Sequence, residues 1–476
     1  MNVNMTLKSH TKLSATKLNK QAPLSVSLPL IDKIKLLIAM SSGLAQKLDI
    51  YWIKPTLLLS KHDQADGNTF SYLLANPTHS SLSASDIAGA VADSPTHDTH
   101  PVSCEGTQHI PLHSGWVGYY AYPAKAAEAG TSKSEFHYYP WSICLDHTSG
   151  DFYLLGNPDS DAQQMFDALA GQLVQLFKQL FKQTTPAVNV TALPYKALPF
   201  KALSFKAAWS KQQYQHAFAS VQAYLHAGDC YQVNLTQPHK ASYTGLALAT
   251  LAPLYSALNP SFGCYFEAHD CELVSVSPER FMSIDASGRL EAKPIKGTIK
   301  RSCDTTQDQL YIDELTNSKK NQAENLMIVD LLRNDLSMSA TPNSVKVEKL
   351  FELETHPNVH HLVSTISAQL KPNLTPAEAI ANAFPGGSIT GAPKKRAMEI
   401  INELEAEPRS LYCGSFGYYA DSGHADFNIL IRSIEFREGE MICWGGGGIT
   451  VDSDCDEEYE ESLTKVRKIM DVIEGI

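Results

Sequence analysis

Lys296 is the residue of this sequence with the clearest chemical potential. It stands between a predicted strand and a glycine turn in Pro294-Ile295-Lys296-Gly297-Thr298, and the acidic segment Ser277-Pro278-Glu279 precedes it. A neutral amine can act as a nucleophile, and a protonated carboxyl can act as a general acid. A lysine at a turn is more often a solvated surface charge, and the local spacing alone favours that ordinary role.

Two glutamates and a lysine share one face of the predicted last helix, which runs from about residue 454 to 473. Glu458, Glu461 and Lys465 follow one another at helical spacing, so they lie on neighbouring turns. Two carboxylates one turn apart suit a hard divalent cation, because such ions take oxygen ligands. The alternative is an acidic first turn that complements the helix dipole.

Glu324 is a candidate third carboxylate. It lies on a predicted helix over residues 322–332, beside the apolar run 326–329, which we expect to be buried. It can join the other two glutamates only if the fold brings it to the last helix. The alternative is a solvated residue at the edge of the buried run.

Arg432 and two glycine-rich segments complete the candidate binding groups. Arg432 lies within the run 427–434, which is apolar on both faces, and a buried guanidinium needs an anionic partner. That partner is either an internal carboxylate or a ligand carboxylate bound in bidentate fashion. The segment 386–393 leads into a predicted helix over 394–405, and 445–448 precedes the acidic last helix. Either segment can present N–H groups to an anion or simply form a tight turn, but all these groups together favour a pocket for a small anionic metabolite.

Length and composition narrow the class of protein. The chain has 476 residues, a hydrophobic content of 43% and a formal net charge of -12. This charge disfavours a nucleic-acid surface, and no basic stripe is found. No run of about 18 apolar residues predicts a membrane span. The nine cysteines are dispersed, which fits reduced thiols in a cytoplasmic enzyme better than a disulfide framework.

The order of the predicted elements indicates an α+β fold with antiparallel sheets. We divide the chain into a flexible tail (1–20), an N-terminal region (21–190), a linker with a pentapeptide repeat (191–207) and a catalytic region (208–476). The patterns predict helices over 161–182, over 210–228 and from Thr375, a strand over 231–236, a hairpin of 271–284 with 289–295, and three strands over 411–451.

A series of motifs follows in order along the catalytic region, at 277–281, 294–298, 323–331, 333–335, 361–364, 384–394, 414–418 and 446–452. Together they resemble the chorismate-utilising enzymes, which include anthranilate synthase component I, aminodeoxychorismate synthase component I, and the isochorismate and salicylate synthases. The match is dense over 208–470 and weaker at 57–60 and 115–120. The resemblance implies the family fold, a layered α/β/β/α sandwich with orthogonally packed antiparallel sheets.

The resemblance also implies roles for the candidate residues. Mg²⁺ is expected to be held by Glu324, Glu458 and Glu461, and to bind one substrate carboxylate. The other substrate carboxylate is expected to meet Arg432, Tyr418, Lys465 and the backbone of Gly446, Gly447 and Gly448. The substrate ring is expected to lie near Thr390, Gly391 and His361. Some relatives carry another acid where this chain has Asn321, so the metal shell is expected to contain more water.

Two positions indicate the reaction. Anthranilate synthases resemble this chain but have alanine at the position of Lys296, and the isochorismate and salicylate branch is expected to have a water-activating lysine at the position of Gln232. The pair therefore resembles the aminodeoxychorismate synthases, whose product serves p-aminobenzoate and folate synthesis. In the expected mechanism Lys296 attacks C2 of chorismate while the C4 hydroxyl leaves with a proton from Glu279, and ammonia then attacks C4 and expels the lysine.

The same resemblance implies partners. The chain has no glutaminase cysteine motif, so ammonia is expected from a separate glutamine amidotransferase subunit. A tryptophan pocket is implied in the N-terminal part, with Ser60 and Pro260 as candidate lining residues, and an ordinary buried serine and turn are the alternative. Two other functions are left open: anthranilate synthase component I, and a catalytically idle ligand-binding subunit.

Overall fold

A computed structural model of the chain describes residues 8–10, 24–25, 56–60, 70–74, 77–81, 84–92, 109–124, 133–148, 151–156, 200–355 and 359–476. The predicted helix over 161–182 lies outside these residues, as do most of the predicted tail and the first part of the predicted linker. The division of the chain into regions therefore stays a prediction.

Strands predominate in the N-terminal part that the structure describes. The segment Gly-Trp-Val-Gly-Tyr-Tyr is buried at every position, as expected for an aromatic and β-branched run in a central strand. The elements are β1 (Lys8–His10), β2 (Leu24–Ser25), β3 (Thr56–Ser60), β4 (Phe70–Leu74), β5 (His79–Ser81), α1 (Ala84–Ala92), β6 (Gly115–Tyr120), β7 (Ser134–Tyr139), β8 (Trp141–Asp146) and β9 (Asp151–Gly156).

Helices and strands mix from residue 200 onward. The first half of this part contains β10 (Phe200–Ala202), β11 (Lys206–Ala207), α2 (Lys211–Ala227), β12 (Gln232–Gly245), α3 (Leu248–Leu258), β13 (Phe262–Glu267), β14 (Glu272–Ser277), β15 (Arg280–Ile284), β16 (Arg289–Ala292), β17 (Ile295–Lys300) and α4 (Thr305–Asn317). The second half contains α5 (Lys319–Ser339), β18 (Lys346–Thr355), β19 (Val359–Gln369), α6 (Pro376–Ala383), β20 (Gly391–Ala392), α7 (Lys394–Leu404), β21 (Ser415–Ala420), β22 (Ala425–Ile429), β23 (Ser433–Arg437), β24 (Glu440–Ile449) and α8 (Cys455–Glu474).

The helix ends confirm several sequence predictions. Ser210 caps α2 by accepting a hydrogen bond from the N–H of Gln213, whose side chain bonds back to the Ser210 backbone. Gly228 ends the same helix in a left-handed conformation. Thr375 forms a second capping box at the start of α6. These local bonds satisfy donors that would otherwise lack partners, and so fix where the helices begin.

Two sheets contain the described strands. The large sheet has the order β1-β9-β8-β4-β3-β13-β14-β23-β24-β12-β10, with β2 beside β9 and with β11 and β20 beside β12. The small sheet has the order β17-β19-β16-β15-β22-β21-β6-β7-β5, with β18 beside β19. All these pairs are antiparallel except β1 with β9. Because β3 pairs with β13 and β6 with β21, the N-terminal and catalytic regions share both sheets.

Three apolar clusters show that the molecule is layered. One cluster lies between the sheets and joins Phe266 of β13 to Phe416 of β21. A second joins Phe427 of the small sheet to Ile328 of α5. A third packs α2 and α7 on the large sheet around Val221. The order is therefore helices, sheet, sheet, helices, as the α+β expectation required. No described helix is long and apolar enough to cross a membrane.

The structure corrects some predicted elements. Residues 411–451 contain four strands, not three, because the chain breaks at 430–432 between β22 and β23. The predicted strand over 231–236 continues to Gly245. Only β15 and β16 form the predicted hairpin, since β14 belongs to the other sheet. On α5, Ile328 is fully buried as predicted, but Leu326 is 53% exposed because helical periodicity turns it outward.

Candidate active site

Glu279 lies where the chain crosses from one sheet to the other. β14 ends at Ser277 in the large sheet, and β15 begins at Arg280 in the small sheet. The Glu279 N–H donates to Ser277 Oγ (3.2 Å), and its carbonyl accepts from the N–H of Ile429 (3.0 Å). Glu279 is 9% exposed. The crossover therefore holds a carboxyl group in a largely dry position.

Burial raises the pKa of the Glu279 carboxyl above its ordinary value. Four neighbours oppose this shift: the Ser388 hydroxyl, which hydrogen-bonds to the carboxyl, and the cations of Lys296, Lys465 and Arg432. The pKa still rises, because desolvation penalises the charged form. A carboxyl that holds its proton to higher pH suits the role of a general acid.

Lys296 is oriented by an irregularity in β17. The pairing of β17 with β19 shifts register beside Lys296, and Gly297 has a φ of 93°. A Cβ on Gly297 would lie 3.1 Å from Leu315 Cδ1 and 3.2 Å from Asn321 Cγ, in a conformation that L residues rarely adopt. The bulge therefore depends on glycine, and such bulges re-aim neighbouring side chains.

Several charged groups surround the Lys296 amine. Burial lowers the pKa of Lys296, and the nearby cation of Lys465 lowers it further, while Glu279, Glu324 and Glu461 act in the opposite direction. The lowered pKa increases the neutral, nucleophilic fraction of the amine. The fold thus brings five residues that the sequence singled out, on four separate segments, within electrostatic reach of one another.

Arg432 differs from its predicted setting. It lies between β22 and β23 with a φ of 51°, not inside a strand, and its carbonyl accepts from the N–H of Val276 (3.0 Å). Burial lowers the pKa of the guanidinium, and Glu279 opposes that shift. Among the described residues the guanidinium makes no ion pair within 4.0 Å, so neither an internal Asp nor an internal Glu neutralises it directly. Its charge is available to an anionic ligand.

The glycines at 445–448 form part of β24 and not a loop, which corrects the sequence prediction. They leave space beneath α8. A Cβ on Gly447 would lie 3.1 Å from Glu458 Oε2, 3.5 Å from Lys465 Nζ and 3.8 Å from Glu461 Oε1. The three side chains that the sequence placed on one helix face therefore converge on the open side of Gly447.

Lys465 is bound inside this group. Its Nζ lies 2.7 Å from Glu461 Oε1 and donates to the Gly446 carbonyl at 3.0 Å. Burial raises the pKa of Glu458. Desolvation also acts to raise the pKa of Glu461, but Lys465 and other cations outweigh it, so the pKa of Glu461 is lowered. Lys320, which sequence reasoning missed, is one of the cations that act on both glutamates.

The residues fit a divalent cation by chemistry, although the described part of the chain holds no ready group of three His, Cys, Asp or Glu side chains that could enclose one. Glu458 and Glu461 both face the space next to Gly447. Glu324, on α5, acts electrostatically on Lys296 and opposes the lowering of its pKa. Carboxylate oxygens are the ligands that Mg²⁺ prefers. Asn321, at the position where some relatives have an acid, packs against the Gly297 turn.

Ser388 is a second residue that sequence reasoning missed. It lies on a 3₁₀ turn (Gly387–Ile389) next to Gly386, which packs on Ile429, the residue whose N–H donates to the Glu279 carbonyl, and the Ser388 side chain acts to lower the pKa of Glu279. The hydroxyl of Thr390, which was predicted to line the substrate ring, donates to the Gly386 carbonyl at 3.1 Å inside the same loop. The sequence feature that could have indicated Ser388 is a hydroxyl residue within the glycine-rich segment 386–393.

Gln232 and Gly391 meet at the start of β12. A Cβ on Gly391 would collide with the Gln232 carbonyl, so glycine is needed for this close approach. Gln232 is 1% exposed, and a Cβ on Gly448 would lie 2.9 Å from Gln232 Cδ. Among the described residues, Gln232 Nε2 has no hydrogen-bond partner. The carboxamide thus lies against the glycine strand.

The family model described as chorismate binding enzyme matches residues 50–471. The chain belongs to the chorismate-binding enzymes. A relative named aminodeoxychorismate synthase component 1, from Klebsiella aerogenes, is 36% identical over 461 residues, which cover 92% of this chain and 93% of the relative. Proteins of the same name from Salmonella typhimurium and Escherichia coli are 41% and 40% identical, and each match covers 71% of this chain and 69% of the relative.

Solved structures of lower identity share the fold of this chorismate-binding enzyme. Anthranilate synthase component I from Streptococcus pneumoniae superposes with a TM-score of 0.70 at 23% identity, covering 84% of this chain and 92% of that one. The menaquinone-specific isochorismate synthase of Escherichia coli gives a TM-score of 0.68 at 15% identity, covering 95% and 93%. These likenesses establish the α+β fold.

The remaining predicted site residues divide into two places. In this chorismate-binding enzyme His361 lies on β19, and its Nδ1 is 2.8 Å from Thr298 Oγ1, so it stands beside the strand of Lys296. Tyr418 is not brought to Lys296. Its buried ring packs near Tyr72, with 6.2 Å between the ring centroids. Burial raises the pKa of its hydroxyl, and the nearby Asp426 adds to that shift.

Tyr418 instead lines a separate cavity of about 350 Å³. The candidate tryptophan-pocket residues lie near it: β3 pairs Ser60 with Phe262, which lines the cavity, and Pro260 is buried just before β13. Arg280 also faces this cavity and pairs with Asp426. Tryptophan binding there stays a prediction.

Proposed function

We propose that this chain is the component of an aminodeoxychorismate synthase that converts chorismate and ammonia to 4-amino-4-deoxychorismate, for p-aminobenzoate and folate synthesis. One observation supports the proposal: Lys296 and Glu279 interact electrostatically, an amine of lowered pKa with a carboxyl of raised pKa. The aminodeoxychorismate synthase relatives, at 36% to 41% identity, support it.

The first half-reaction joins Lys296 to the substrate. The neutral amine forms a bond to C2 of chorismate, both ring double bonds shift, and the C4–O bond breaks. Glu279 gives its proton to the departing hydroxyl, which leaves as water. The raised pKa of Glu279 and the lowered pKa of Lys296 are the shifts that these roles need.

The second half-reaction reverses the bond shift. Ammonia attacks C4, both double bonds return, and the C2–N bond to Lys296 breaks. The lysine leaves as an amine, and Glu279 recovers a proton from the newly added nitrogen. The sum is chorismate plus ammonia giving 4-amino-4-deoxychorismate plus water, and two displacements leave the new nitrogen on the face that the hydroxyl occupied.

Substrate orientation is assigned to the cations of the pocket. Arg432, which makes no ion pair within the described part of the chain, and Lys465 are suited to bind one carboxylate of chorismate. The backbone of 446–448 can approach the substrate closely, because glycines carry no side chain that would stand between them. Thr390, Gly391 and His361 lie on elements that flank the ring position in this proposal.

Glu458, Glu461 and Glu324 would hold Mg²⁺. When bound, the ion supplies positive charge that offsets a substrate carboxylate. The protein contributes the dry setting of Glu458 and the cations Lys465 and Lys320, which already balance the paired glutamates. Both contributions favour retention of an anionic substrate next to Lys296.

Ammonia is assigned to a glutamine amidotransferase partner in the cytoplasm. The eight described cysteines are free, seven of them buried or half-buried, and their pKa shifts are upward wherever one is resolved. A nucleophilic cysteine requires the opposite shift. The name component 1 carried by the relatives also fits a two-component enzyme.

The test uses the purified chain with chorismate, MgCl₂ and ammonium chloride, and identifies the product by mass spectrometry. Formation of 4-amino-4-deoxychorismate supports the proposal. Anthranilate, isochorismate or no product would contradict it, and each selects a different branch of the family. With glutamine in place of ammonium, the chain alone is expected to be nearly inactive, and efficient use of glutamine would contradict the partner assignment.

A further inference from the structure

The loop that carries Ser388 is closed at its base by one side chain. This loop, residues 384–393, connects the end of α6 to the start of α7. Lys394, the first residue of α7, donates from Nζ to the carbonyl of Ala383, the last residue of α6, at 2.9 Å. The two ends of the loop are therefore joined directly.

The same ammonium also ties the loop to α5. Lys394 Nζ lies 2.7 Å from Asp335 Oδ1, and the Asp335 side chain is 2% exposed. The other carboxylate oxygen of Asp335 has no hydrogen-bond partner among the described residues. Because an unpaired buried charge is strongly destabilising, Asp335 depends on Lys394, and the loop base is held against the helix that carries Glu324.

The middle of the loop makes further contacts with its surroundings. The Ile389 carbonyl accepts from Asn234 Nδ2 (3.1 Å) and from Arg409 Nη1 (2.9 Å). A Cβ on Gly387 would collide with Leu331 of α5. On either side of Ser388 the loop therefore contacts α5 and β12. The ion pair between Lys394 and Asp335 holds the base of the loop on α5.

We infer that Lys394 and Asp335 are positioning residues, whose buried ion pair holds the loop 384–393 so that Ser388 meets Glu279. The inference rests on the proposed function in one respect, namely that Glu279 is the proton donor. Neither Lys394 nor Asp335 touches the reacting groups in the described contacts, so they act through the loop, which carries Thr390 and Gly391 of the proposed ring site as well as Ser388. Loss of the pair lets the loop base move away from α5, and Ser388 moves with it.

A merely structural pair would affect stability alone, so the experiment separates stability from positioning. The variant Lys394→Met keeps an unbranched side chain one atom shorter than lysine but leaves Asp335 without a partner. Adding Asp335→Leu removes that buried charge, and buried pairs replaced by apolar residues usually regain stability. Lys395→Met is the matched control, because Lys395 is exposed and next in sequence.

Three measurements are made on the full chain: the melting temperature, hydrogen–deuterium exchange of peptides covering 384–393, and kcat and KM for chorismate with ammonium. For the double variant we expect a melting temperature near that of the wild type, loop exchange at least about tenfold faster, and kcat lower by about 10²-fold with KM within twofold. The pH limb that reports Glu279 should move to higher pH, because the Ser388 bond lowers its pKa.

Wild-type kcat and unchanged loop exchange in the stable double variant would overturn the inference. A general slowing in Lys395→Met would overturn it too. If the wild type makes a different product from chorismate, the proposed function fails, and the loop exchange still decides whether the pair positions the loop. Lys394→Arg should recover most of the kcat, since arginine keeps the charge that pairs with Asp335.

Discussion

Two consecutive residues, Glu279 and Arg280, have different surroundings. Glu279 interacts with the cation of Lys296, and Arg280 faces the 350 Å³ cavity that Tyr418 lines. Each is 9% exposed. Arg280 donates from Nε to Asp426 Oδ1 (2.9 Å) and from Nη2 to Asp426 Oδ2 (3.2 Å). Glu279 has a serine hydroxyl and three more distant cations.

The difference lies in how the charges are balanced. In the Arg280 cavity a bidentate pair between Arg280 and Asp426 satisfies both partners. Among the described residues neither Lys296 nor Glu279 makes an ion pair within 4.0 Å, and burial lowers the pKa of the amine and raises the pKa of Glu279. Groups whose charges are incompletely paired, such as Lys296 and Glu279, can exchange protons and form bonds. The fully paired Arg280 and Asp426 instead hold the lining of their cavity in place.

The largest effect is expected from Lys296→Ala. Loss of the nucleophile should reduce aminodeoxychorismate formation by roughly 10⁴-fold or more. The measurement is product formation from chorismate and ammonium by mass spectrometry, which also detects a diversion to anthranilate. Lys300→Ala is the control, because Lys300 is an exposed lysine at the end of the same strand. Full activity of Lys296→Ala would exclude a covalent role.

Glu279→Gln should reduce kcat by about 10²- to 10⁴-fold, the range for loss of a general acid. Glutamine keeps the shape of the side chain but holds no acidic proton. The pH profile is the sharper measurement: the limb where activity falls as Glu279 loses its proton should disappear. A kcat within threefold of the wild type would show that another group protonates the hydroxyl.

Arg280→Met should show the opposite pattern one residue away. The change leaves Asp426 without its bidentate partner, so the free energy of unfolding should fall by about 3 kcal/mol, in the range for a broken buried pair. At a temperature where the variant is folded, kcat with ammonium should stay within about threefold of the wild type. Chemical denaturation and steady-state kinetics measure the two quantities. A kcat loss as large as that of Glu279→Gln would remove the distinction between the cavities.

The sequence placed Glu458, Glu461 and Lys465 on one helix face because helical spacing is a local property, and the family resemblance added Lys296 and Glu279 to that group. Faces of strands are harder to predict. Successive strand residues point to opposite sides, so one position decides which cavity a side chain enters. That is why Tyr418 was predicted beside the substrate but lies with Tyr72, on the Arg280 side.

Two other differences have conformational causes. Arg432 adopts a positive φ that only a few per cent of non-glycine residues take, so a continuous strand was the natural prediction for its apolar run. The run 445–448 resembles a loop in composition but forms a strand. Glycine is needed there because α8 lies so close that a Cβ on Gly445 would be 2.5 Å from the Ser462 carbonyl. Tertiary contact, not turn geometry, requires those glycines.

Ser388→Ala should have the smallest effect and a defined sign. The Ser388 hydroxyl stabilises the charged form of Glu279, so its loss should raise the pKa of Glu279 further. Activity that depends on protonated Glu279 should then persist to higher pH, with the limb displaced upward by about one pH unit or less, the equivalent of one charge-assisted hydrogen bond. The pH dependence of kcat at saturating chorismate measures this, and a displacement to lower pH would show that Ser388 favours the protonated acid instead. Glu279 responds to the loss of the single Ser388 hydroxyl because its charge is incompletely balanced. Arg280, one residue away, is already paired with a carboxylate.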